Sequence, residues 1–439
     1  MLNIRKSLLQ FVFAGSYMKR WNDKLRPMEF IEADKQAHKM IVAWILCRLN
    51  GGPSQADRLA LEQEVVERGI FDYFFRLVIT DIKPPVYYRI KTNPKDYAQL
   101  VSWVLSELEP LLRPLDAGGA GGGFWSRLVD YIREPDRGDL AAHILDAAHN
   151  YASSWELGIL SPMNHFDPEM PDIEADFKKK LAARMDLAGL SEMVSEPRFA
   201  PPGRSAAEQE KAERSALGGF AKLCGQLRFQ KRWSQTPRVP ETSVMGHMLM
   251  VACYAYFFSL AVEACPARKV NNYFCALFHD LPEVLTRDII SPVKKSSDSL
   301  SELVREYENE ELERRVFAPL RAEGYADLVD RLGYYLGVEV GSEFTECVRL
   351  DDGGAAGSRP SAVSFEDLQT RYNQDIFDPK DGKLLKACDN IAAFIEAYTA
   401  VRNGISSDQL HQAIWRIRSE NSKLEIGGVH VGALLADFT

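Results

Sequence analysis

The stretch Phe278-His279-Asp280-Leu281-Pro282-Glu283 (FHDLPE) decides how this chain is read. It follows the apolar run NNYFCAL (271–277), and a further acid, Asp288, comes shortly after. His279, Asp280, Glu283 and Asp288 therefore cluster at the end of a segment whose composition predicts a buried helix. Burying ionisable groups without partners is costly, so this cluster predicts that something is shared among them. Pro282 predicts that the helix ends or bends there, which frees the carboxylates to point inward. On a helix, Glu283 lies three residues past Asp280 and faces the same side.

Two other ionisable residues interrupt apolar helical patterns in the same half. His247 lies in ETSVMGHMLMVACYAYF (241–257) and Asp389 in KLLKACDNIAAFIEAY (383–398). Each has an ordinary explanation when taken alone. His247 fits a hydrogen-bonded core histidine, Asp389 fits a partner of Lys386 or Arg402, and His279-Asp280 fits a helix end. The order of all four is what matters: a lone His, a His-Asp pair, then a lone Asp on a late helix. Imidazole and carboxylate groups suit hard-to-borderline divalent metals, and a catalytic site leaves positions open for water or substrate. One shared metal would serve all four residues.

This order resembles the HD superfamily of metal-dependent phosphohydrolases, whose ligands run His…His-Asp…Asp. RWSQTPRVPETSVMGHMLMVA (232–252) and ALFHDLPEVLTRDIISPVKK (276–295) are similar to segments of the YfbR-like 5′-deoxynucleotidases. The matching features are Arg232-Trp233, His247, His279-Asp280, Glu283, Asp288 and Pro292-Val293-Lys294, and the likeness covers about residues 220–400. It implies that His247, His279, Asp280 and Asp389 bind one divalent ion (Mn, Co, Mg, Ni, Fe or Zn). It puts Glu283 and Asp288 beside the attacking water as catalytic groups, and turns Arg232, Trp233 and Lys294 toward the substrate. The side chains suit these roles, since an arginine can grip a phosphate with two prongs and an indole offers a flat face to a sugar or base. The implied reaction is hydrolysis of a nucleotide phosphomonoester, a (deoxy)nucleoside 5′-monophosphate. The alternatives are an HD phosphohydrolase for a nucleoside triphosphate or signalling nucleotide, and a non-catalytic nucleotide- or protein-binding HD module. The family also implies a homodimer, unless the first half takes the partner's place.

Three features depart from that pattern. Gly246 stands where a Glu usually precedes the first ligand histidine. The stretch from Asp280 to Asp389 is long, largely through a glycine-rich segment near 350–362. About two hundred residues precede the similar region.

The bulk properties agree with a small-molecule enzyme. The chain has 439 residues, 46% hydrophobic and 26% charged, which is the composition of an ordinary globular protein. A net charge of −9 argues against a nucleic-acid partner. Seven cysteines are scattered without a C-x-x-C pair, as expected of reduced thiols in a cytoplasmic protein. MLNIRKSLLQFVFAGSYMKR (1–20) has a short apolar run and no small-residue cleavage site, so it does not read as a secretory leader. MLMVACYAYFFSLAV (248–262) is too short to span a bilayer and predicts a core helix rather than a membrane contact.

Helical periodicity dominates, so the fold class expected is all-α. PPVYYRIKT (84–92) is the best candidate for extended structure. SEPRFAPPGRSAAEQEKAERS (195–215) reads as a linker, VRLDDGGAAGSRPSAVS (348–364) as an exposed loop, and LDAGGAGGG (115–123) as a glycine loop without the Lys-Ser/Thr of a phosphate loop. These breaks divide the chain into a helical accessory domain, 1–195, and an HD-type domain, 215–439. In the first, His38, Thr80-Asp81 and Asp146 faintly echo the ligand order, as a degenerate HD-like repeat that has lost its metal would. His143, Asp146 and His149 also invite a second metal site, but read better as polar residues on a solvated or interfacial face. SELVREYENEELERRV (301–316) reads as a solvated helix, although the resemblance implies a helix here that can border the pocket.

Overall fold

A computed structural model of the chain describes residues 4–116, 123–134, 137–287, 297–350 and 359–438. Asp288 and Lys294, both expected at the site, lie outside the described residues, as do the glycine runs at 117–122 and 351–358. The fold is all-α as expected, with three short antiparallel strand pairs among the described residues.

The Val244–Ala261 helix is apolar on every side, and all of its residues are buried. A helix without a polar face belongs in a core. Among the described residues it is the one helix long and apolar enough to cross a membrane, and it is spent on the interior of this fold. Around it lies one continuous hydrophobic core that draws on both halves of the chain. Trp44, from the Glu32–Asn50 helix, meets Phe278 at 4.9 Å and Tyr335 at 6.0 Å between ring centroids. The N-terminal helix Lys6–Phe13 buries Leu8, Leu9, Val12 and Phe13, and the Leu9 carbonyl accepts a 2.8 Å hydrogen bond from the Tyr254 hydroxyl.

Two local expectations are corrected. PPVYYRIKT is not extended: Pro84–Lys91 is a helix with no buried residue. Proline suits the first helical turn, where its missing N–H is not needed, and that start signal outweighs the strand preference of Val-Tyr-Tyr. The stretch 348–364 is not simply a loop, since Cys347–Leu350 pairs with Arg359–Ala362 as a hairpin. The proline-rich stretch 195–215 contains a short 3₁₀ turn, Pro197–Phe199, and a helix, Ala206–Arg214, opened by a Ser205/Glu208 capping box. Arg204 ties it down by donating to the carbonyls of Val194 and Ser191.

Three helices position the site. Val244–Ala261 packs against Pro266–Phe278 and against Gly382–Arg402. The fully buried Arg268 joins the second helix to the start of the third, donating to both Asp381 oxygens at 2.7 and 2.9 Å. Charge-assisted pairs of this two-pronged kind fix geometry as well as energy.

Candidate metal centre

Ser243 opens the first helix, its hydroxyl accepting from the Gly246 N–H at 2.9 Å, and this sets His247 in the first turn. His247 Nε2 lies 3.1 Å from Asp389 Oδ1 and 4.0 Å from Asp280 Oδ2. His279 and Asp280 follow directly on the Pro266–Phe278 helix. His279 Nδ1 lies 2.7 Å from the Ala276 carbonyl, which can only accept, so that nitrogen carries the proton. Nε2 is then the nitrogen left to meet a cation once the ring gives up its second proton; it is buried and faces Asp280 Oδ2 at 3.3 Å. Ligand atoms of His247, His279 and Asp280 all lie within 4.8 Å of one another, the one such group among the described residues. Three of the expected ligands, His247, His279 and Asp280, thus converge, and Asp389 joins them through its 3.1 Å contact with His247.

The acids and bases of the site hold one another in their charged forms. Burial alone would raise the Asp280 carboxyl, yet His279 and then Arg232 hold it well below the usual range. Burial would depress His279, but the Asp280 carboxylate overrides it and raises the imidazole to about 9. Asp389, pushed up by burial, is held low by Lys386, 2.7 Å away, and by His247. The pairing of Asp389 with Lys386 therefore coexists with its place beside His247.

Behind these ligands stands Glu396, completely buried, which the sequence reading did not single out. It receives the Trp233 indole N–H at 2.9 Å, the Thr242 hydroxyl at 2.8 Å and the Arg232 Nε at 3.3 Å, and its Oε1 lies 3.4 Å from His247 Nδ1. A carboxylate behind a histidine fixes the ring and directs its other nitrogen at a metal. Arg232 also donates to Asp280 at 3.1 Å, so its guanidinium joins ligand to support. The available signal was spacing: Glu396 is two helical turns past Asp389 and shares its face.

Glu283 is buried and lines a cleft together with His279, Asp280, Arg305, Glu308 and Glu343. Arg305 and Glu308 belong to the Asp298–Leu312 helix, which does border the pocket. Gly246 faces the first half of the chain. A Cβ there would sit 2.8 Å from Asp34 Oδ1, which accepts the Ser243 hydroxyl at 2.6 Å. A carboxylate from the first half thus occupies the space beside the position where Glu is usual. His143, Asp146 and His149 do not converge as a metal group: Asp146 pairs with Arg184 on the surface, and His149 meets Lys35. His38 is buried against the Ala221 carbonyl and Arg228.

No curated protein and no solved structure matches the chain. Residues 224–418 match the family model of the HD domain, a span that holds His247, His279, Asp280 and Asp389. HD domains bind divalent metals and are as a rule metal-dependent hydrolases. The second half of this chain thus matches the HD domain, whose usual chemistry is metal-dependent phosphohydrolysis.

Proposed function

We propose that the chain hydrolyses a nucleotide phosphomonoester, a (deoxy)nucleoside 5′-monophosphate, at the cleft beside His279 and Asp280. The observation that carries this reading is the charge balance of the cleft. Asp280, Glu283, Glu308 and Glu343 line it, with Arg305 and the His279 imidazole as the basic groups among its described lining residues. Such a wall repels a phosphate until a divalent cation neutralises it. His247, His279, Asp280 and Asp389 would hold that cation. A divalent ion there supplies Lewis acidity toward a phosphoryl oxygen and lowers the pKa of water.

The chain's own residues supply the rest. Glu396 holds the His247 ring, and Arg232 holds Asp280, so the ligands are set before any ion arrives. Glu283, on the cleft wall beside Asp280, takes the proton from the attacking water as general base. Trp233 packs its indole against the ligand support, which supports a positioning role alongside any contact with a sugar or base.

The test is phosphate release from nucleoside mono-, di- and triphosphates with manganese, cobalt or magnesium. Monophosphates are expected to be cleaved at least ten times faster than the others. Preference for triphosphates would replace the substrate class, and metal-loaded protein inert on every substrate would leave a nucleotide-binding module.

A further inference from the structure

The residues that frame the metal centre occur twice. Lys19-Arg20-Trp21 in the first half repeats as Lys231-Arg232-Trp233, and the same interval in the numbering relates Arg26 to Arg238 and Glu29 to Glu241. The repeat extends to local structure. Lys19 bridges to Ile31 as Lys231 bridges to Ser243. The Glu32 N–H donates to the Met18 carbonyl at 2.8 Å, and the Val244 N–H to the Gln230 carbonyl at 2.9 Å. Lys19 pairs with Glu29 at 3.4 Å, and Lys231 with Glu241 at 3.4 Å. Trp21 and Trp233 both have φ of 56°, a conformation that bulky residues seldom adopt once, let alone at matching positions.

The support behind the ligands repeats as well. Trp21 Nε1 donates to Glu156 at 2.8 Å and Arg20 Nε to the same oxygen at 3.0 Å, as Trp233 and Arg232 do to Glu396. Arg20 then reaches Glu32 at 2.8 Å where Arg232 reaches Asp280. In this register Lys35 falls in the place of His247, and His149, in the Leu140–Leu160 helix, in the place of Asp389. Lys35 Nζ and His149 Nδ1 are 2.7 Å apart, as His247 and Asp389 are 3.1 Å apart. A buried lysine amine donates and an imidazole nitrogen accepts, so the two satisfy each other.

The halves also pack reciprocally. The Glu32–Asn50 helix lies on its counterpart Val244–Ala261, and Gln55–Ile79 lies on Pro266–Phe278. The leading helix Lys6–Phe13 packs on Val244–Ala261, and the leading helix Ala216–Gly225 packs on Glu32–Asn50. Tyr254 donates to the Leu9 carbonyl, and His38 meets the carbonyl of Ala221, the counterpart of Leu9. Contacts that pair each element with its own equivalent are those of a two-fold dimer.

We infer that the first half is a second HD-type unit, docked on the first by a pseudo-two-fold, whose metal centre has been replaced by the Lys35–His149 pair. The echo placed on His38 and Asp146 is thereby shifted to Lys35 and His149, while Thr80-Asp81 follows Gln55–Ile79 as His279-Asp280 follows Pro266–Phe278, with Asp81 paired to Arg76 and Asn22. The inference is independent of the substrate proposed above and stands whichever phosphate ester the second half takes.

The test moves the replacement pair into the second half. The chain carrying His247→Lys and Asp389→His is compared with one carrying His247→Ala and Asp389→Ala, by metal analysis and thermal melting with and without a chelator. The wild-type chain is expected to hold about one ion and to melt lower after chelation. The Lys/His chain is expected to fold, to hold less than a tenth of that metal, and to melt at one temperature with or without chelator. Retention of a full ion by the Lys/His chain overturns the inference, as does its failure to fold where the Ala/Ala chain folds. If neither variant folds, an experimental structure decides: one rotation must carry 14–36 and 140–160 onto 226–248 and 380–400. If no single rotation does so, the inference is overturned.

Discussion

Glu396 offers the sharpest test of how the metal ligands are held. Its carboxylate is wholly buried and serves Arg232, Trp233 and Thr242 while lying beside His247. Glu396→Ala removes every one of those acceptors. An indole N–H and a hydroxyl left dry cost about 1–3 kcal/mol each. Arg232 keeps Asp280, so its charge is only half orphaned, and breaking a buried pair costs about 3–5 kcal/mol in all. The alanine chain is therefore expected to lose about 4 kcal/mol in a denaturant titration. Glu396→Gln keeps the shape and one acceptor oxygen but drops the charge behind His247. Loss of a carboxylate behind a ligand histidine typically weakens metal binding about 10- to 100-fold. Competition against a coloured chelator reads that number directly. Two results refute the reasoning: a glutamine chain that binds metal within about twofold of wild type, or an alanine chain that loses under about 1 kcal/mol.

Glu283→Ala is expected to lower kcat by about 10²–10⁴-fold, the range for a general base, with metal content unchanged; loss of the ion would make Glu283 a ligand instead. Gly246→Ala is expected to destabilise by about 1–2 kcal/mol, because overpacking against Asp34 at 2.8 Å outweighs the roughly 1 kcal/mol of helix preference gained. In an Asp34→Ala background the same change becomes neutral or favourable, and a cost that persists there would exonerate Asp34. Burial raises the Asp34 carboxyl from 3.8 to about 6, with the Ser243 hydrogen bond opposing it. The unfolded chain ionises Asp34 first, so folding is penalised as pH climbs from about 4 to 6 and by a constant amount above. Asp34→Asn in chelator-treated protein is thus expected to gain up to about 3 kcal/mol at pH 8, converging with wild type near pH 4. Equal stability of the two chains at pH 8 would count against this.

The candidate site was legible because metal chemistry restricts the residue types. His247, His279, Asp280 and Asp389 are imidazoles and carboxylates in apolar company, and that contrast is visible in one dimension. Glu396 was not, because its partners, Arg232, Trp233, Thr242 and His247, lie about 150 residues earlier in sequence and its helix reads as ordinary core. The repeat was written plainly in Lys-Arg-Trp at 19–21 and 231–233. Following His and Asp misses it, since those are the residues the first half has changed. Gly246 looked like a lost acid because the neighbour filling its space, Asp34, is two hundred residues away in sequence. Pro84–Lys91 was misread since a surface helix with no buried face has no periodicity to detect.

The crossed leading helices bear on how the chain is made. Leu8, Leu9, Val12 and Phe13 are synthesised more than two hundred residues before the helix they cover, Val244–Ala261. The early half must wait with an apolar surface uncovered, the circumstance in which large proteins enlist chaperones. The arrangement is that of a domain-swapped dimer sewn into one polypeptide, and pairing across such sequence distance slows folding. A protease cut near residue 203 would leave two fragments interlocked rather than free, and neither fragment made alone would own a complete core.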